Sequence, residues 1–322
     1  FLTNRSSLAI VPKLPRPPLQ LYEMKSNKSA IIALLLVQLF YGVTFTFAND
    51  VIDGGYIQPY GFILFRVSLA GILFWVFSAW TPSEKIEYND FPKFIIAAFF
   101  GVALNMLAFF KGLQFTTPIN GSVIMVTTPI IVLILSAIIL REKITKIKIF
   151  GILVGLSGAL ILSVYNSSAS EGDNILLGNF LMLINAASYS YYLILIKKIT
   201  EKYHPYTFIK WLFLFGTLFV LPFGYRELSV VDWSSFTPYI WFSVLFVVVG
   251  ATFATYLLNP LALRKLSATT VSTFLYIQPI FAGIFAIIMG SDTINVVKII
   301  ATLLIFLGVY LVTKSSTLQT PK

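Results

Sequence analysis

Stretches of about twenty apolar residues recur along the chain, separated by short polar breaks. They fall at approximately 30–49, 59–80, 93–113, 119–140, 147–165, 175–197, 206–224, 238–258, 269–289 and 295–313. Each is long enough, as a helix, to cross a hydrocarbon layer about 30 Å thick. Several of the breaks are only a few residues long, too short for a domain outside the membrane. The pattern predicts an all-α membrane protein of ten transmembrane helices.

The polar breaks carry a second pattern. If the N-terminus is placed in the cytoplasm, fifteen Lys and Arg fall at the inner ends of the spans and three, Lys111, Arg226 and Lys298, at the outer ends. Cytoplasmic loops are the ones enriched in basic residues, so both termini are expected inside and the number of spans is expected to be even.

Shifting the sequence by 150 residues aligns Gln114-to-Leu162 with Arg264-to-Val312 without gaps. Pro129 then meets Pro279, Glu142 meets Asp292, Lys148 meets Lys298 and Gly158 meets Gly308. Further upstream, Pro59-Tyr60-Gly61-Phe62-Ile63 matches Pro205-Tyr206-Thr207-Phe208-Ile209 at a shift of 146. The two matches, in order, argue for duplication into halves of five spans, at about 24–165 and 175–314, with a short tail at 315–322. Five is odd, so the halves must enter the membrane with opposite polarity. Inverted repeats of this kind are a mark of secondary transporters.

Composition narrows the reading. Hydrophobic residues make up 57% of the 322 residues and charged residues 11%, against about 25% for a soluble domain. The surface must therefore face mostly lipid. The net charge of +10 sits in short loops and lacks the aromatic interleaving of a nucleic-acid surface, so no nucleic-acid partner is expected. With no cysteine, disulfides and thiolate metal sites are excluded. The absence of a GxxxxGK[ST] loop excludes that route to ATP hydrolysis, and neither a cofactor nor a metal is expected. Residues 1–23 include Pro12-Lys13-Leu14-Pro15-Arg16-Pro17-Pro18, which cannot be helical throughout. They read as a disordered extension ahead of Met24.

A Pro deep in a span, a Glu at the end of the fourth span and a Gly-rich fifth span appear as VTTPIIVLILSAIILREK (126–143) and GILVGLSGALIL (151–162), echoed by YIQPIFAGIFAIIMGSDT (276–293). In these features the chain resembles the EamA-type proteins of the drug/metabolite transporter superfamily. The resemblance covers nearly everything after Met24. It implies a permease or exporter of small metabolites, such as amino acids, in the bacterial cytoplasmic membrane, with spans 5 and 10 as supports. The second half departs from the first at Asp292, Ala301 and Ile305, where the first has Glu142, Gly151 and Gly155.

Polar residues inside spans avoid lipid, so they either join helices or line a wet pathway. Gln38, Tyr41, Arg66, Asn105, Asn120, Thr128, Asn185, Tyr189, Tyr192, Tyr256 and Gln278 are the candidates for a substrate pathway, with Thr44, Ser122 and Asn259 beside them. Arg66 is the deepest charge, an expensive placement at about 2.5–3.5 kcal/mol near a helix centre. It reads either as a partner for a substrate carboxylate or phosphate, or as a snorkelling residue paired with Asp50 or Asp53. Lys210 reads as snorkelling. Pro129 and Pro279 lie about ten residues into their spans and deprive the Met125 and Leu275 carbonyls of a donor, which makes them candidate kinks or hinges. Gly151, Gly155 and Gly158 form a small-residue face for close packing, within the protomer or in a homodimer. His204 is expected in a solvated cytoplasmic loop.

No mid-span carboxylate is evident, which keeps an uncoupled facilitator or lipid flippase of the same fold as the alternative. A membrane enzyme would need a cluster of His, Asp or Glu, and none is evident.

Overall fold

A computed structural model describes residues 27–81, 84–116, 121, 124–165, 174–288 and 295–317. The extension 1–23 and candidates Asn120, Ser122 and Asp292 lie outside these residues. The first rods are α1 (Asn27–Ile52), α2 (Pro59–Ser78) and α3 (Tyr88–Phe115). After them come α4 (Thr128–Ile139), α5 (Lys146–Tyr165), α6 (Ile175–Lys202), α7 (Pro205–Ser229) and α8 (Pro238–Leu263). The ninth rod, α9, is assembled from an α segment Ala268–Thr273, a 3-10 turn Phe274–Ile277 and a helix Gln278–Ile288. The last is α10 (Val296–Thr317). Among the described residues, eight of these are long and apolar enough to cross a membrane, and α4 is a shorter apolar helix of twelve residues. The protein is therefore a multi-pass membrane protein.

Proline and short polar side chains set the helix starts. Pro59, Pro205 and Pro238 each open a helix, where the missing N–H costs nothing and φ is preset. Asn174 and Thr237 then accept from the Leu177 and Ile240 N–H groups at 3.2 and 3.3 Å, satisfying donors that the first turn leaves open.

Packing follows a regular scheme. α2 lies against α7, and α5 against α10. α3 and α4 both rest on α6, while α8 and α9 both rest on α1. Exchanging the first five rods for the last five turns this scheme into itself. The α2/α7 pair is antiparallel: Gly61 N–H donates to Glu227 Oε2 at one end, and Lys210 Nζ donates to Ser78 Oγ at the other. The α5/α10 pair is antiparallel too, with Gly151 against Gly308 and Val312, Gly158 against Ala301 and Ile305, and Thr145 bonded to Ser315. The small-residue face of α5 is thus spent inside the protomer.

The rod ends sort into two faces. Asp90 at the start of α3 accepts from Lys202 and Tyr203 at the end of α6, each at 2.6 Å. Glu142, after α4, accepts from Thr269 of α9 and forms an ion pair with the buried Lys148 of α5. Lys197 of α6 donates to the Leu263 carbonyl at the end of α8. On the opposite face, Tyr239 at the start of α8 donates to Asp50 near the end of α1. His204 is 8% exposed and stacks on Tyr206, not solvated as expected, because it caps α7 beneath the α2–α3 connection.

α3 and α8 share an unusual build. A 3-10 turn opens α3 (Tyr88–Asp90) and another lies just ahead of α8 (Trp233–Ser235), each followed by an eight-residue α segment (Phe91–Ala98, Pro238–Leu245). Each then widens into a π segment, Phe99–Leu104 and Phe246–Ala254. A π turn bonds i to i+5, so it leaves carbonyls turned outward near its seam. In hydrocarbon such groups need partners. Ser188 of α6 donates to the Phe100 carbonyl and Tyr256 of α8 to the Gly101 carbonyl, both at 2.6 Å. Thr252 donates to the Val247 carbonyl of its own segment at 2.9 Å.

Candidate substrate site at the centre of the bundle

The two π segments bring a polar cluster together between the halves. Tyr256 reaches across from α8 to the π segment of α3, and its ring lies 5.9 Å from that of Tyr192 on α6. Tyr192 in turn packs over the bare Gly101 Cα, a place where a Cβ would overlap the ring. The Tyr189 and Tyr192 rings lie 6.0 Å apart, and Asn259 Nδ2 approaches the Tyr189 hydroxyl at 3.5 Å. From α1, Tyr41 lies beside Thr255 and Tyr189. Five of the predicted pathway residues, Tyr41, Arg66, Tyr189, Tyr192 and Tyr256, therefore share one site.

Arg66 enters this cluster from α2. It is 8% exposed, and its Nε donates to Thr252 Oγ1 at 3.1 Å. The Thr252 hydroxyl proton is already committed to the Val247 carbonyl, so its lone pair is fixed toward the guanidinium. The Tyr41 and Tyr256 hydroxyls are its other electrostatic neighbours. Pairing with Asp50 or Asp53 is not found: Asp50 accepts from Tyr239, and none of the ion pairs among the described residues involves Arg66. Lys210 behaves as a snorkelling residue, with its ammonium 4.7 Å from the centre of the Trp75 ring at the end of α2.

The remaining candidates are placed differently. Asn105 and Asn185 exchange bonds, each Nδ2 donating to the other's backbone carbonyl at 3.3 and 2.7 Å, which ties α3 to α6. Thr128 donates to the Met125 carbonyl at 2.6 Å, so the acceptor that Pro129 strands is satisfied locally. The Leu275 carbonyl receives the Gln278 N–H in the same way. Both prolines sit in the first turn of a restarted helix and not inside an unbroken one. Gln38 is buried on α1, and its Oε1, the Tyr192 hydroxyl and Asn185 Oδ1 have no partner among the described residues. Gln278 is half-buried, with its carbonyl against Gly42 of α1.

Sequence reasoning missed Thr252 and Thr255. Both lie in the run VVVGATFATY (247–256), which reads as mostly apolar, and their signal is a pair of hydroxyls three residues apart, the first of them four residues before Tyr256.

A membrane-embedded helical bundle with a buried polar cluster between two structurally exchangeable halves belongs to the transport proteins in kind. The chain belongs to the EamA-like transporter family, whose model matches it twice, at residues 28–164 and 176–314, so the EamA domain is duplicated. It is 26% identical over 250 residues to the uncharacterized transporter YetK of Bacillus subtilis, covering 77% of this chain and 75% of that one. It is 24% identical over 296 residues to the uncharacterized transporter YyaM of the same organism, covering 90% and 95%. A solved crystal structure 14% identical in sequence superposes with a TM-score of 0.73 over 92% of this chain and the whole of the other, a likeness of fold.

Proposed function

We propose that the protein is a secondary transporter that moves small metabolites across the bacterial cytoplasmic membrane by alternating access, in the export direction, with both termini inside. Ten helices cross, α4 and α5 among them, as two five-helix repeats at 24–165 and 175–314 inserted in opposite orientations. The observation that carries this reading is the antiparallel packing of α2 on α7 and of α5 on α10. These are equivalent members of the two duplicated domains, and equivalent helices that lie side by side and antiparallel are related by an axis in the membrane plane. Two such halves can exchange conformations, which moves the opening from one side to the other around a fixed central site. The Arg66–tyrosine cluster occupies the place that site requires, with α5 and α10 outside it as supports.

The absence of cysteine makes the topology directly testable. A single cysteine at Val230 should react with an impermeant maleimide on intact cells, and one at Tyr88 only after permeabilisation; both positions are exposed. Purified protein in proteoliposomes should show saturable flux of members of a radiolabelled small-metabolite pool. Saturable flux for no pool, or both cysteines reacting from the same side, counts decisively against the proposal.

A further inference from the structure

The substrate itself carries a charge, and the centre of the bundle indicates its sign. Arg66 lies seven residues into α2, about 10 Å along the helix from Pro59. It is buried, and it holds a fixed positive charge at every accessible pH. Burial of a cation in a bundle is ordinarily offset by a carboxylate. Here its one hydrogen bond among the described residues uses Nε and goes to a neutral hydroxyl, Thr252 Oγ1. The carboxylates of Asp50 and Glu227 are bonded elsewhere, to Tyr239 and to the Gly61 N–H. The two terminal guanidinium nitrogens, which form the fork suited to a carboxylate, make no hydrogen bond among the described residues. Tyr41 and Tyr256 are the neighbours of the guanidinium, Tyr192 packs against Tyr256 and Tyr189 against Tyr192, and the Tyr192 hydroxyl lacks a partner among the described residues.

We propose that Arg66 is the anion subsite of the transport site, and that the substrate is a small organic carboxylate whose apolar or aromatic body lies against the four tyrosines. This rests on the transporter reading given above. A carboxylate supplies one negative charge for one guanidinium and accepts from both terminal nitrogens. A phosphate monoester brings roughly one and a half to two charges, leaving part of its charge uncompensated in the same pocket. Thr252 acts as a positioning residue: by engaging Nε, it holds the fork in a fixed plane.

The test uses the purified full-length protein with matched probes that differ only in charge: benzoate, benzamide and benzylammonium, then hexanoate, hexanamide and hexylammonium, with phenyl phosphate as the dianion. Binding is read as a rise in melting temperature with probe concentration. The acids should stabilise the wild type, and the amides, amines and phenyl phosphate much less. In Arg66→Gln, acid binding should weaken roughly tenfold to a hundredfold, while Arg66→Lys keeps part of it and Thr252→Val loses part. Arg66→Gln should also melt, without probe, no lower than the wild type, because it removes an unpaired buried charge; an arginine kept for structure would give a clear drop. Absence of stabilisation by either acid, equal stabilisation of Arg66→Gln, or a preference for the amines, amides or phenyl phosphate overturns the assignment. Flux of labelled benzoate in proteoliposomes separates the two readings. Arg66-dependent binding without flux defeats transport and leaves the anion subsite standing. Saturable flux of a neutral or cationic metabolite, unchanged in Arg66→Gln, does the reverse.

Discussion

The α5/α10 seam and the centre of the bundle are built from opposite materials. At the seam, backbones nearly touch: a Cβ on Gly308 would lie 2.5 Å from the Gly155 N and 2.6 Å from the Gly151 carbonyl. The groups in contact there are small or aliphatic, and the outer faces of both helices present Phe150, Leu153, Leu303 and Phe306 outward, where lipid is the solvent. The centre has broken helical geometry in α3 and α8 and, among the described residues, an arginine without a carboxylate and buried polar atoms without partners. Close dry contact gives van der Waals attraction with only one good arrangement. An imperfectly satisfied polar cluster has groups left to bond a ligand. The seam is closed by packing, and the centre leaves polar groups open.

The largest expected effect is therefore at the seam. Gly308→Val places a branched side chain where backbone atoms stand, and backbone cannot move aside as a side-chain tip can. Overpacking costs about 1–3 kcal/mol even where neighbours adjust, so this variant should melt far below the wild type or fail to purify as a monodisperse species. A Gly308→Val protein with wild-type stability would mean that the seam is loose. Next comes Glu142→Gln. It removes the carboxylate bonded to Lys148, which is 1% exposed, and loosens the α4–α9 tie through Thr269. Breaking one side of a buried ion pair costs about 3 kcal/mol, to be read in thermal or denaturant melts. Gly101→Ala sharpens the comparison from the other direction. The added methyl displaces the Tyr192 ring, so flux and ligand binding should fall by about tenfold or more while the protein still folds.

These regions were unequally legible in the sequence. Gly151, Gly155 and Gly158 stand at spacings of three and four, and that spacing alone identifies a packing stripe; that its partner is α10 and not a second protomer is seen only in the structure. The rods were legible because twenty apolar residues in lipid have few alternatives to a helix. The family was legible from Pro129, Glu142 and their echoes. Local strain was not. Nothing in FFGVAL or FVVVGATFA signals a π segment, since the extra residue is accommodated by donors from elsewhere, Ser188 and Tyr256. The roles of the asparagines were equally hidden: Asn105 and Asn185 look like pathway residues until each is seen bonded to the other's backbone. Pro129 looked like a kink in a continuous helix because sequence periodicity passes through it. The chain instead turns at Val126–Thr127 and begins again, with Thr128 closing the open carbonyl. Arg66 was visible, but whether a carboxylate met it depends on where Asp50 points, and that is a tertiary fact.

The smallest effect lies at the centre. Tyr256→Phe deletes one hydroxyl, which donates to the Gly101 carbonyl across the two halves at 2.6 Å. In a soluble core, stranding a carbonyl in this way costs more than the average bond contributes. Inside membranes, measured side-chain hydrogen bonds average only about 0.6 kcal/mol, because released groups find other partners. Gly101 lies in a π segment, where a small change in register gives its carbonyl an alternative N–H. The variant should therefore melt within a few degrees of the wild type, while acid binding weakens measurably, since the tyrosine wall loses a hydroxyl next to Arg66. A loss of stability approaching that of Gly308→Val would show that this cross-half bond is a structural clamp. The centre would then be as rigid as the seam, and the division between a fixed support and a working site would fall.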